Sequence, residues 1–190
     1  MPNENTPQVN PAALGLISFG LTTVLLSLIN AGVLPAAGES VVIPLAIVFG
    51  GSIQIIAGLM EVKQGNTFGT VAFLSYGAFW WWFALLLLLG HNGILDLKGA
   101  GSTIGAALML WGVFSTYLWV STFKLSRLLF AIFLTLSVTF FLLGSGAMFA
   151  IPQLSQMGGW LGLVCGTLAI YGSFAIVTNA TYKRPVLSMG

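Results

Sequence analysis

Charge is what this sequence has least of. Asp, Glu, Lys and Arg make up 5% of it, against 57% hydrophobic residues. A water-soluble domain carries roughly 25% charged residues, because water has to solvate its surface. A chain this poor in charge cannot cover a water-facing shell, and an apolar surface of that extent needs lipid as its solvent. The same scarcity excludes other classes. A net charge of +2, with no basic cluster, gives no hold on phosphates and excludes nucleic acid as a partner. The single cysteine, Cys165, forbids an internal disulfide and a cysteine metal site; within its apolar run it reads as a small buried hydrophobe. The single histidine, His91, lies between two apolar runs and reads as an interfacial loop residue. There is no Ser-His pair, metal-ligand cluster, Gly-rich phosphate loop or pair of intramembrane carboxylates. The sequence therefore reads as a non-enzyme with no cofactor or metal.

What is present is apolar length. Six runs cover Pro11–Ile29, Val41–Met60, Thr70–Leu89, Gly101–Val120, Leu128–Phe149 and Gly159–Val177. Each is near the ~20 residues that cross a hydrocarbon core at about 1.5 Å per residue. Short connections hold nearly every charge, and the fifth is read as a loop containing Pro152, Gln153 and the Gly158-Gly159 pair. The expected fold is an all-α integral membrane bundle of six transmembrane helices. Residues 1–10 form an N-terminal tail without the features of a signal peptide, 11–179 the bundle and 180–190 a C-terminal tail. Lys63, Lys124, Arg127, Lys183 and Arg184 fall on one side of this arrangement and only Lys98 on the other. The positive-inside rule then places both termini in the cytoplasm.

Helix punctuation agrees with these spans. Asn10 is a good N-cap, and Pro11 at the first helical position loses no hydrogen bond. Gly65 closes the second span, and Asn66 or Thr67 can cap the third. Gly158, Gly162 and Gly166, like Gly101 and Gly105, form small-residue stripes that let helices approach closely, within one subunit or between subunits.

Serines and threonines inside the spans can bond back to their own helices. Gln54 is different, because an amide at mid-span needs a partner or water. Two readings stand for it: a helix–helix hydrogen bond and a place on a pore wall. Depth adds a second observation. Phe19, Tyr76 and Leu136 each lie six to eight residues into a helix that starts on the cytoplasmic side, about 9–12 Å in. Gln54, seven residues before Glu61 on a helix ending on that side, is at a similar level. An apolar ring beside an amide is a way to build a narrow gate.

Several motifs then carry a resemblance. The stretch Asn10-Pro11-Ala12-Ala13-Leu14-Gly15-Leu16 resembles the NPAPLGL signature of the acetate uptake transporter family, the succinate–acetate permeases. Gly50-Gly51 with Gln54, Ala57-Gly58, Glu61, Gly65-Asn66-Thr67-Phe68-Gly69, Ser75-Tyr76-Gly77-Ala78-Phe79-Trp80 and Leu110-Trp111-Gly112-Val113-Phe114 fit the same family in order. Ala13 departs from it, where the family usually has proline. The resemblance implies six-helix protomers similar to those of urea and amide channels, assembled as a hexamer in the cell membrane. It also implies a pathway in each protomer for acetate and, in many members, succinate. The hydrophobic constriction of the family carries over to Phe19, Tyr76 and Leu136.

A carboxylate is negative at pH 7 and sits poorly in an apolar ring without a cation. It crosses either partly hydrated, helped by polar groups such as Asn10, Gln54, Asn66 and Thr67, or protonated. Glu61 is then a proton-handling group or a snorkelling surface carboxylate. Two rival readings remain: a urea or short-amide channel, and a non-transporting membrane scaffold. A short echo, Tyr76-Gly77-Ala78-Phe79 against Tyr171-Gly172-Ser173-Phe174, suggests an inverted repeat of three-helix halves.

Overall fold

A computed structural model describes residues 9–190, so most of the tail expected over 1–10 lies outside the described residues. Six helices are long and apolar enough to cross a membrane: α1 (Ala12–Asn30), α2 (Ala36–Lys63), α3 (Thr67–His91), α4 (Gly101–Thr122), α5 (Arg127–Met148) and α6 (Pro152–Tyr182). No strand occurs among the described residues. The expected all-α, six-span architecture is what the chain adopts.

Caps explain several of the boundaries. Asn10 Oδ1 accepts from the Ala12 N–H at 3.0 Å, and Pro11 already has helical dihedrals, so α1 starts where its polar cap allows. Gly65 takes φ +70, which a residue with a Cβ avoids, and reverses the chain after α2. Asn66, not Thr67, then caps α3, accepting from the Gly69 N–H at 3.1 Å.

Three boundaries differ from expectation by more than one helical turn. Helix α2 begins at Ala36, directly after Pro35, rather than at Val41. Helix α6 begins at Pro152, seven residues before the expected Gly159. Pro152 occupies the first turn, where a missing N–H is harmless, and Gly158 and Gly159 serve packing rather than breaking the helix. A Cβ on Gly158 would meet the Leu143 side chain at 2.9 Å, and Gly159 faces the backbone of Asn30 and Ala31. Helix α6 also continues to Tyr182, where Lys183 ends it in the left-handed region.

Helix α1 lies along α6, α5 packs on both α4 and α6, and α3 packs on α2. The glycine stripes make these seams. A Cβ on Gly105 would stand 2.6 Å from the Gly144 carbonyl oxygen, and one on Gly20 would stand 2.9 Å from that of Gly166. The stripes are therefore consumed within the protomer. By contrast the backbones of α3 and α4, although consecutive, stay apart, and the two helices meet through side chains such as Tyr76 and Trp111. The second span is not a uniform helix. Pro44 withholds one backbone donor, and from Ala46 to Ile53 the helix widens to π geometry before Gln54 restores α-helical winding. Gln54 is thus the first residue beyond an irregular segment in the middle of a membrane span.

Candidate functional site

Six of the residues singled out by sequence converge on one cavity. Phe19 from α1, Gln54 and Glu61 from α2, Tyr76 from α3, Leu136 from α5 and Asn66 from the α2–α3 turn all line a space of about 70 Å³. A water needs roughly 10–15 Å³ by the same measure, so the cavity suits a few waters or one very small organic solute. Asn10 and Thr67 are not on its wall; both are exposed at helix starts.

The apolar members Phe19, Tyr76 and Leu136 share this cavity wall. The Phe19 and Tyr76 ring centroids are 5.9 Å apart, and Leu136 is 4% exposed on the α5 side. Tyr76 is the hub of a larger aromatic group. Trp111 and Phe114 from α4 lie 5.9 and 5.4 Å away, Phe133 lies 6.2 Å away, and Phe140 stacks at 6.4 Å. The Tyr76 hydroxyl is 2.7 Å from Ser115 Oγ. Ser115 gives its one proton to the Trp111 carbonyl at 2.8 Å, so Tyr76 is the donor between the two hydroxyls. That bond joins α3 to α4 and spends the only proton Tyr76 had to offer a substrate.

The polar members show the opposite need. Gln54 and Glu61 are each 1% exposed. Glu61 Oε2 accepts from Asn66 Nδ2 at 2.8 Å, but Glu61 Oε1 and Gln54 Oε1 have no hydrogen-bond partner. Glu61 packs against Gly69 in the first turn of α3, where the positive end of the helix dipole favours a carboxylate. Lys, Arg and His are absent from the wall among the described residues. The cavity therefore presents an unbonded carboxyl oxygen beside an amide that can both donate and accept, so it can meet a carboxyl in its acid form, an amide, water, or a carboxylate oxygen at the Gln54 Nε2 side.

Sequence reasoning missed the inner wall made by Leu16, Phe73 and Phe133. Each lies three residues before a ring member on the same helix face, so extending those faces by one turn would have found them. Ser115 had no sequence signal beyond a hydroxyl near Trp111-Gly112-Val113-Phe114.

Comparison with known proteins closes the identification. The sequence profile of the GPR1/FUN34/yaaH family matches residues 1–188. The chain is 42% identical over 186 residues to the succinate-acetate/proton symporter SatP of Escherichia coli (strain K12), covering 98% of this chain and 97% of that protein. It is 36% identical over 186 residues to acetate permease A of Emericella nidulans, covering 90% of this chain and 62% of that longer protein. A solved structure of the bacterial acetate channel SatP superimposes with a TM-score of 0.92 at 40% identity, over 97% of this chain and 100% of that one. The family foreseen from the Asn10–Leu16 stretch is the one found: this multi-pass membrane chain belongs to the GPR1/FUN34/yaaH family.

Proposed function

We propose that the protein moves acetate, and succinate less readily, across the cell membrane through the cavity and the Phe19–Tyr76–Leu136 ring. The observation that carries this reading is the convergence of ring, amide and carboxylate on one small cavity in a chain closely similar to a succinate-acetate/proton symporter. The space admits a two-carbon acid more easily than a four-carbon diacid. Glu61 is the proton-handling group, since its unbonded oxygen and the Gln54 carbonyl both accept from a carboxyl in its acid form or from accompanying water. Asn66 holds Glu61 in place through the cap of α3. Asn10 and Thr67 mark the helix starts at the cytoplasmic entrance.

Both termini lie in the cytoplasm in this reading, supported by the distribution of basic residues. The assembly is a hexamer. Its support in the fold is the groove between α3 and α4, where Ala78, Trp82, Leu110 and Phe114 face outward without a partner helix. The test is uptake of labelled acetate, succinate and urea into proteoliposomes, with protein-free liposomes as baseline because acetic acid leaks through lipid. Saturable acetate uptake inhibited by unlabelled succinate is expected. Uptake of urea without acetate would replace this reading with the amide-channel one.

A further inference from the structure

The hydrogen bond from Tyr76 to Ser115 crosses between two helices whose backbones stay apart. Ser115 lies off the cavity wall and is fully buried, at 0% exposed. Many hydroxyls in the spans serve their own helix: Ser18, Thr22, Thr116 and Ser137 each donate to a carbonyl four residues back. Ser115 does the same toward Trp111, and its oxygen then also accepts from Tyr76. With the serine proton committed to the backbone, the helix fixes where its lone pairs point.

That bond restrains one motion and not another. Rotation of the tyrosine ring about Cβ–Cγ turns it around a line that ends at the hydroxyl oxygen, and the bond survives. Rotation about Cα–Cβ carries the hydroxyl through a wide arc and breaks it. The first motion leaves the Phe19–Tyr76–Leu136 ring as wide as before; the second changes its width. Packing restrains the second motion less well. Trp111 and Phe114 back Tyr76 at 5.9 and 5.4 Å, but both also border the open groove between α3 and α4. A released hydroxyl has other acceptors on its own side of the wall, because Gln54 Oε1 and Glu61 Oε1 are unbonded.

We infer that Ser115 is a positioning residue for selectivity: by tethering the Tyr76 hydroxyl to α4 it fixes the width of the ring, and so sets how readily a four-carbon dicarboxylate passes relative to a two-carbon monocarboxylate. Ser115 acts through Tyr76 and touches no substrate. The inference rests on the transport reading above, and the thermal half of its test does not.

The test compares the purified full-length parent protein with Ser115→Ala, Tyr76→Phe and the double variant. Thr116→Val is the control, since Thr116 bonds to its own helix beside Ser115 and lies off the cavity wall. Labelled succinate and acetate uptake are measured in the same proteoliposomes, and melting temperatures in detergent. Expected is a succinate-to-acetate ratio about three- to tenfold higher in either single variant, the change being carried by succinate. Loss of one buried hydrogen bond raises the population of the swung ring by that factor. The double variant shows the same ratio as the single ones, because no bond is left for the second substitution to break. The control stays within twofold of the parent. Ser115→Ala melts below the double variant, since it alone leaves a buried tyrosine hydroxyl without its acceptor. A serine that only packs gives another pattern: its replacement changes the ratio by the same factor with or without the Tyr76 hydroxyl, or not at all. Either result overturns the tether, as does a parent-like ratio in Tyr76→Phe. Should Ser115→Ala fail to fold, Tyr76→Phe and the double variant decide: equal, raised ratios support the tether, and unequal or parent-like ratios overturn it. Failure of the parent to move either acid overturns the transport reading instead, while non-additive melting temperatures still report the bond.

Discussion

The two sides of the Phe19–Tyr76–Leu136 set are built differently. Toward the starts of α1, α3 and α5 there is open space, and the unbonded buried atoms are acceptors, Gln54 Oε1 and Glu61 Oε1. One turn beyond the ring the packing is aromatic, and the unbonded buried groups are the hydroxyls of Thr23 and Thr139 and the indole N–H of Trp80. The ring between them is apolar, and its one hydroxyl is spent on Ser115. The π segment before Gln54 and the cap at Asn66 accompany the amide and the Glu61 carboxyl on the cavity side.

The comparison breaks most completely if the inner side is made apolar. Gln54→Leu removes the deepest polar group of the cavity and is expected to lower acetate flux about tenfold, the scale of one lost hydrogen bond to a desolvated polar substrate. Reconstituted uptake measures it, with surface expression as control. Next in size is Glu61→Gln, which keeps an acceptor for Asn66 but loses the titratable proton. Flux is expected to fall roughly three- to tenfold, and its dependence on an imposed pH gradient to flatten. An undiminished pH dependence would remove Glu61 from proton handling. Phe19→Ala widens the ring from the α1 side and is expected to raise flux of larger carboxylates about twofold or more, since a narrow apolar constriction gates by dewetting. Smallest is Tyr76→Phe. Its hydroxyl proton already goes to Ser115, so acetate flux is expected to change by less than about twofold. A large loss there would mean that the hydroxyl turns toward the substrate during transport.

Much of this was legible in the sequence because lipid imposes strong rules. Apolar runs and the Asn10-Pro11 and Gly65-Asn66 punctuation located the spans. A constant rise per residue then put Phe19, Tyr76 and Leu136 at one depth before any helix was placed against another. The start of α6 was misread because Pro152 and Gly158-Gly159 look like loop chemistry, whereas a first-turn proline and packing glycines belong to a helix. Glu61 was ambiguous by sequence, since a carboxylate near a helix end snorkels as readily as it buries. The Gly69 contact and the Asn66 bond, which depend on the turn geometry, hold it inside. The unbonded donors beyond the ring had no sequence signal at all, because a threonine that bonds to its own helix and one that does not look alike in a string of letters.

The ring itself is tested most directly by the ratio of succinate to acetate uptake in Leu136→Ala. Leu136 lines the α5 side of the cavity and has an apolar side chain, so in the proposed constriction the substitution changes width and little else. The ratio is expected to rise several-fold over the parent protein, with both substrates measured in the same proteoliposomes and the protein eluting and melting as a folded assembly. An unchanged ratio in a folded, membrane-inserted variant would contradict the account, and the three side chains would then be ordinary packing between helices.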